Sequence, residues 1–162
     1  MAKRILVPLG DHDRAEAIVP VVAALAREGG GTVRLLHVEP PQRTRFDEAA
    51  RRLPVYHDVQ VLLDVRQRLL AYAHVAEERL EAEGLARLGR LDPLLEGVAV
   101  ERAVRFGDVV DEIAREADAF EADLIAVTER RRPWWRPALA PIVERLRSRV
   151  RVPVLALSGA AR

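Results

Sequence analysis

The sequence predicts an α/β fold: an open, Rossmann-like parallel sheet of five strands with helices on both faces. Short apolar runs stand at residues 5–9, 124–127 and 152–157, the run at 124–127 without alternation, as in strands covered on both sides. The segments between strands carry apolar residues at helical spacing, so the order reads β-α-β-α-β-α-β-α-β, which implies parallel pairing. At 162 residues, with no internal repeat, the chain fits a single domain over 1–162 with a substantial core.

Residues 5–9 form the first strand, and GDHDRAE turns into a helix. Asp13 and Glu16 have the spacing of a capping box, so the helix starts there and runs to about Glu28, ending in Gly29, Gly30 and Gly31. Pro20 lies inside it and is expected to bend it. Residues 33–38 are the second strand, and 40–54 read as a polar loop with scattered arginines. A helix follows over about 61–83. Leu62, Val65, Leu69, Tyr72, Val75 or Ala76, and Leu80 are spaced as one buried face.

Residues 84–96 are long for a connection, and Asp92 before Pro93 predicts a short extra helix capped by Asp92. The third strand spans 98–106. Gly107 and Asp108 then open a helix with Val109, Ile113 and Ala117 toward the sheet. After the fourth strand comes TERRRPWWRPALAP, a loop leaving the carboxyl end of that strand, where ligands bind in open α/β sheets. Pro141 suits a first helical turn, and Ile142, Val143, Leu146 and Val150 recur at helical spacing. Residues 152–157 form the last strand, with Pro153 suited to an edge.

Composition excludes several chemistries. Without cysteine there is no disulfide, thiolate nucleophile or Cys-ligated zinc. Lys3 is the sole lysine, which leaves no Walker-type or Schiff-base lysine at a loop. Ser148 and Ser158 are the only serines, against a serine hydrolase. The apolar run 17–26 is too short to span a bilayer, and MAKRILVPL reads as a strand and not a signal peptide, so a cytoplasmic protein without a transmembrane segment is expected. Net charge is +1, yet residues 130–151 hold eight arginines and one acid.

Asp11, His12 and Asp13 resemble a metal or acid–base cluster, but consecutive residues rarely converge on one ion, so a cap and turn is the reading and no metal is expected. His37 reads as a hydrogen-bonded sheet residue, His57 as a loop group and His74 as a helix-surface group. A receiver domain fails for want of a lysine after the fifth strand, and GDHDR is no dinucleotide fingerprint.

Three stretches carry a resemblance. Val7-Pro8-Leu9-Gly10-Asp11-His12-Asp13-Arg14-Ala15-Glu16 with Pro20, then LLHVEPP, then DLIAVTERR with APIVERLRSRVRVPVLAL, make the chain similar to the universal stress protein family over nearly its whole length. The resemblance implies strand order 3-2-1-4-5 and dimerisation through the last strand. ATP-binding members have a glycine after the fourth strand, another three residues on, and a Gly-Ser or Gly-Thr pair before the last helix. Those places here hold Thr128, Arg131, Ala140 and Pro141. The family aspartate that contacts nucleotide falls on Gly10, with Asp11 one step away, and the backbone at Val38 would face adenine.

Glycines let backbone N–H groups approach phosphate, and Pro141 has none to offer. The expectation is therefore a non-enzymatic stress or regulatory protein that has lost ATP binding, has no cofactor, and acts as a homodimer or through partners. The alternative is an ATP-binding member, with at most slow hydrolysis, whose cleft is lined by Pro8, Gly10, Asp11, Val38, Thr128, Arg130 and Arg131. In residues 130–136, Trp134 and Trp135 could plug the cleft, Arg130 and Arg131 could bind phosphate, or Arg130 to Arg136 could meet a protein or anionic surface. No nucleic-acid motif accompanies the arginines.

Overall fold

The computed structural model describes residues 3–10, 15–52, 58–129 and 142–158. Five strands, β1 (Arg4–Pro8), β2 (Thr32–Glu39), β3 (Ala99–Phe106), β4 (Leu124–Glu129) and β5 (Val154–Ser158), form one sheet in the order β3-β2-β1-β4-β5. Every pairing is parallel. The helices are α1 (Ala15–Gly29), α2 (Gln42–Arg51), α3 (Val59–Gly89), α4 (Val109–Ala119) and α5 (Ile142–Arg149), with a 3-10 turn at Asp92–Leu95.

Strand alternation divides the core in two. Ile5, Val7, Val33, Leu35 and Ala126 face α1, the end of α3 and the 3-10 turn, while Leu6, Leu36, Ile125 and Val127 face α4 and α5. Gly31 makes the turn into β2 possible. A Cβ there would lie 2.3 Å from the Lys3 carbonyl oxygen, the atom that accepts the Thr32 N–H at 2.9 Å.

Four local expectations are corrected. Residues 42–51 are helix α2, not loop. Their mean hydropathy is low and they rest on α3, so no periodic apolar face announces them. Helix α3 is longer at both ends than 61–83, and its expected buried face is not buried. Leu62, Tyr72 and Val75 are 48%, 66% and 61% exposed, whereas Ala73, Gly84 and Leu88 are the buried residues. In the extra helix the capping position is Leu91, and Asp92 instead binds the Arg102 guanidinium. In α4 Val110, not the exposed Val109, joins Ile113 and Ala117 in the core, because Asp108 as N-cap sets the helix phase. The Asp108 carboxylate accepts the N–H groups of Val110 and Asp111 at 3.0 and 3.1 Å.

The proposed capping pair cannot be placed, since Asp13 lies outside the described residues, as do Pro141 and His57. His74 is on the surface of α3, 3.3 Å from Glu78.

Candidate functional site

The chain reverses its direction of strand addition between β1 and β4, and these two strands pair only at Ile5–Leu124 and Leu6–Ile125. Beyond that pair β1 continues through Val7 and Pro8, and β4 through Ala126 to Glu129. β1 there stays with β2, where Leu9 N–H donates to the Leu36 carbonyl at 2.8 Å, while β4 stays with β5 through Thr128–Leu157 and Glu129–Ser158. The carboxyl ends of β1 and β4 therefore diverge at the topological switch point, where open α/β sheets hold ligands.

Of the candidate cleft residues, Pro8 is buried at the end of β1 and Gly10 is exposed just past it. Val38 is half-buried on the next strand, packed on the α4 and α5 side. Thr128 lies across the switch point on β4, on the face shared by Leu124 and Ala126. Its Oγ1 is the one buried side-chain polar atom without a hydrogen-bond partner among the described residues. Asp11, Arg130 and Arg131 lie outside them, as do Trp134, Trp135 and Ala140, so the plug, side-chain phosphate and surface readings of 130–136 fall there too.

His37 is a hydrogen-bonded sheet residue, as expected. It is buried, with Nδ1 2.8 Å from the Leu9 carbonyl oxygen and Nε2 2.9 Å from Glu39 Oε1. Sequence reading found the histidine but missed its partners. The available signal was the two-residue spacing of His37 and Glu39, which puts both on one face of a strand. Gln42, also missed, is buried and donates from Nε2 to the Pro40 carbonyl at 3.0 Å, fixing the turn that leaves β2.

The arginine-rich tail is partly structural. Arg145 reaches Asp108 at 3.7 Å and Arg149 reaches Asp111 at 3.2 Å, joining α5 to α4. Arg147 donates to the Val154 carbonyl at 3.5 Å. No group of three or more His, Cys, Asp or Glu among the described residues could hold a metal ion.

The family model for the universal stress protein family matches residues 1–158. The chain belongs to the universal stress protein family. Among solved structures, hypothetical protein MJ0577 superposes with a TM-score of 0.70 at 19% identity, covering 100% of this chain and 99% of that one. Universal stress protein UspA from Lactobacillus plantarum gives 0.58 at 16% identity, over 96% and 97% of the two chains. A family protein from Arabidopsis thaliana, solved with AMP bound, gives 0.54 at 15% identity, over 98% and 93%. No curated protein matches the chain. The likenesses to solved structures confirm the fold, including the strand order that the resemblance implied.

Proposed function

We propose that this universal stress protein is non-enzymatic, has given up the glycine-loop cradle for ATP, and works by association with protein partners, including itself. The observation that supports it most is Thr128. A side chain occupies the position of the family's first loop glycine, at the lip of the switch-point crevice. The sequence replaces the remaining cradle positions with Arg131, Ala140 and Pro141, and the ribose-side aspartate with Gly10. A triphosphate held by backbone N–H groups gains charge-assisted hydrogen bonds. Losing three at roughly 1.5 kcal/mol each weakens binding by a factor on the order of a thousand.

The unpaired exit edge of the sheet supports self-association. β5 has β4 on one side and no strand on the other among the described residues, and Leu155 and Leu157 are only half-buried. Residues 130–136 remain the candidate surface for a protein or anionic partner. No described helix is long and apolar enough to cross a membrane.

A second reading keeps the nucleotide, and the orphaned Thr128 hydroxyl favours it, because a buried donor without a partner is a place for a ligand atom. Family relatives solved with AMP and with cAMP bind such ligands. Calorimetric titration with magnesium and ATP near physiological salt separates the two. No stoichiometric heat at submillimolar ATP supports the first reading. Tight binding that weakens when Arg130 and Arg131 become alanine establishes the second.

A further inference from the structure

The buried residues of α3 are Ala73, Gly84 and Leu88, and none of residues 59–72 is buried. This first half of the helix rests against α2. On α2, Asp47, Ala50 and Arg51 stand at i, i+3 and i+4, which is one stripe of a helix. On α3, Leu62, Val65, Arg66 and Leu69 stand at i, i+3, i+4 and i+7, again one stripe. The two stripes line a single groove of about 320 Å³. At roughly 30 Å³ per non-hydrogen atom, the share of a water in the liquid, the groove holds about ten such atoms.

Its chemistry is that of a small-molecule site, an apolar lining with a few polar groups converging on it. Ala50, Val65 and Leu69 are half-buried and Leu62 is 48% exposed, so apolar surface stays open to water between the helices. Each wall also carries one arginine. Arg51 and Arg66 are exposed, and neither has a hydrogen bond or ion pair among the described residues.

We propose that this groove binds a medium-chain fatty acid, with the acyl chain along Leu62, Val65 and Leu69 and the carboxylate held by Arg51 and Arg66. Guanidinium holds carboxylate through paired, charge-assisted hydrogen bonds, and apolar walls beside it strengthen the attraction. The lining charge selects the head group. Two arginines against the one acid, Asp47, leave a net of +1. That matches a carboxylate better than a phosphate monoester, whose charge approaches about −2. The groove lies between α2 and α3, and α3 packs on β2 and β3, away from the crevice between β1 and β4. The proposal therefore stands or falls separately from nucleotide binding and from pairing at β5.

Calorimetric titration of the full chain with hexanoate, octanoate, decanoate and dodecanoate, each below its micelle concentration, reads the apolar lining. Saturable one-to-one binding is expected, tightening roughly two- to fourfold per added methylene and levelling off near decanoate, when the groove is full. Octan-1-ol reads the arginines, and is expected to bind at least tenfold more weakly than octanoate. Arg51→Ala with Arg66→Ala is expected to bring octanoate down to the level of the alcohol and leave the alcohol unchanged. Leu62→Asp, at a half-exposed position, is expected to weaken both at least tenfold. Circular dichroism of the same samples checks that each variant is folded, and the chain-length series needs only the wild type. No binding of octanoate, no dependence on chain length, equal affinity for the alcohol, or indifference to the arginine changes would each overturn the proposal. Binding to phosphatidylglycerol vesicles without binding of octanoate would assign the groove to a membrane surface and overturn it as well.

Discussion

The Glu116 carboxylate on α4 accepts the Arg34 guanidinium of β2 at 2.7 Å and, through its second oxygen, that of Arg105 on β3 at 2.8 Å. Glu116 is buried, so both bonds are shielded from water. Arg34 also binds Glu101 and lies over the Phe120 ring, 4.1 Å from its centroid. Burial works against the Arg34 charge, but the hydrogen bonds it donates to Glu101 and Glu116 outweigh it and hold its pKa above the ordinary value. The cluster ties α4 to two neighbouring strands through one acidic side chain. Glu116→Ala should lower unfolding free energy by about 2 kcal/mol, because two guanidiniums lose a shielded partner. Glu101→Ala, at a half-exposed carboxylate, should cost under about 1 kcal/mol. Urea denaturation of the two variants checks the order, and equal costs would refute it.

Gly31 and Gly89 offer a matched pair. A side chain at Gly31 collides with the Lys3 carbonyl, a backbone atom that already holds β1 and β2 together and cannot rotate away. At Gly89, the last residue of α3, an added Cβ meets nothing within 4 Å. Gly31→Ala should therefore destabilise by about 2 kcal/mol or more, in the range of core overpacking. Gly89→Ala should be neutral or stabilise by up to about 1 kcal/mol, since it gains helix propensity and restricts the unfolded chain. Thermal melts of both reverse the argument if the signs come out otherwise.

The sheet is legible because the central strands β1 and β4 are buried on both faces and read as apolar runs, and parallel order follows from the helices between the strands. Helix α2 was not legible, since a polar helix resting on another helix has neither a wide apolar stripe nor caps in its sequence. The apolar spacing of α3 predicts a buried face that the structure does not bury: Leu62, Tyr72 and Val75 are exposed, and sequence does not say what covers a periodic face. Within the chain Ala73 and Gly84 pack on the sheet, because small residues let the helix approach. A Cβ on Gly84 would come within 2.8 Å of Val104. In the candidate site, Pro8, Val38 and Thr128 were placed by motif alignment. The His37–Glu39 pair is not announced by the histidine alone, since only its two-residue spacing from Glu39 on a strand puts both on one face.

The exit edge gives a third test. If β5 pairs with a second β5 across a two-fold axis, Leu155→Asp places a charge in surface that is half-buried against the α1 side, and pairing should weaken at least tenfold. Sedimentation measures the change in mass, and circular dichroism of the same sample shows whether the fold persists. A folded variant with the mass of the wild type excludes β5 as a contact.

The last test turns on the Thr128 hydroxyl. Buried without a partner, it forfeits hydrogen bonds it had in water, a loss of roughly 1–3 kcal/mol. Valine has nearly the same shape, removes the unsatisfied group and suits a strand. If the crevice takes no ligand, Thr128→Val should stabilise the protein by about 1 kcal/mol and leave an ATP titration as flat as before. If the hydroxyl serves a nucleotide, the same substitution should again stabilise the free protein but weaken magnesium–ATP binding, by about tenfold for one lost hydrogen bond. Stability and affinity are read on one sample, by melting with and without ATP. A ligand-induced rise in melting temperature that shrinks in Thr128→Val would favour the nucleotide-binding reading; no rise in either protein would favour the protein-association reading.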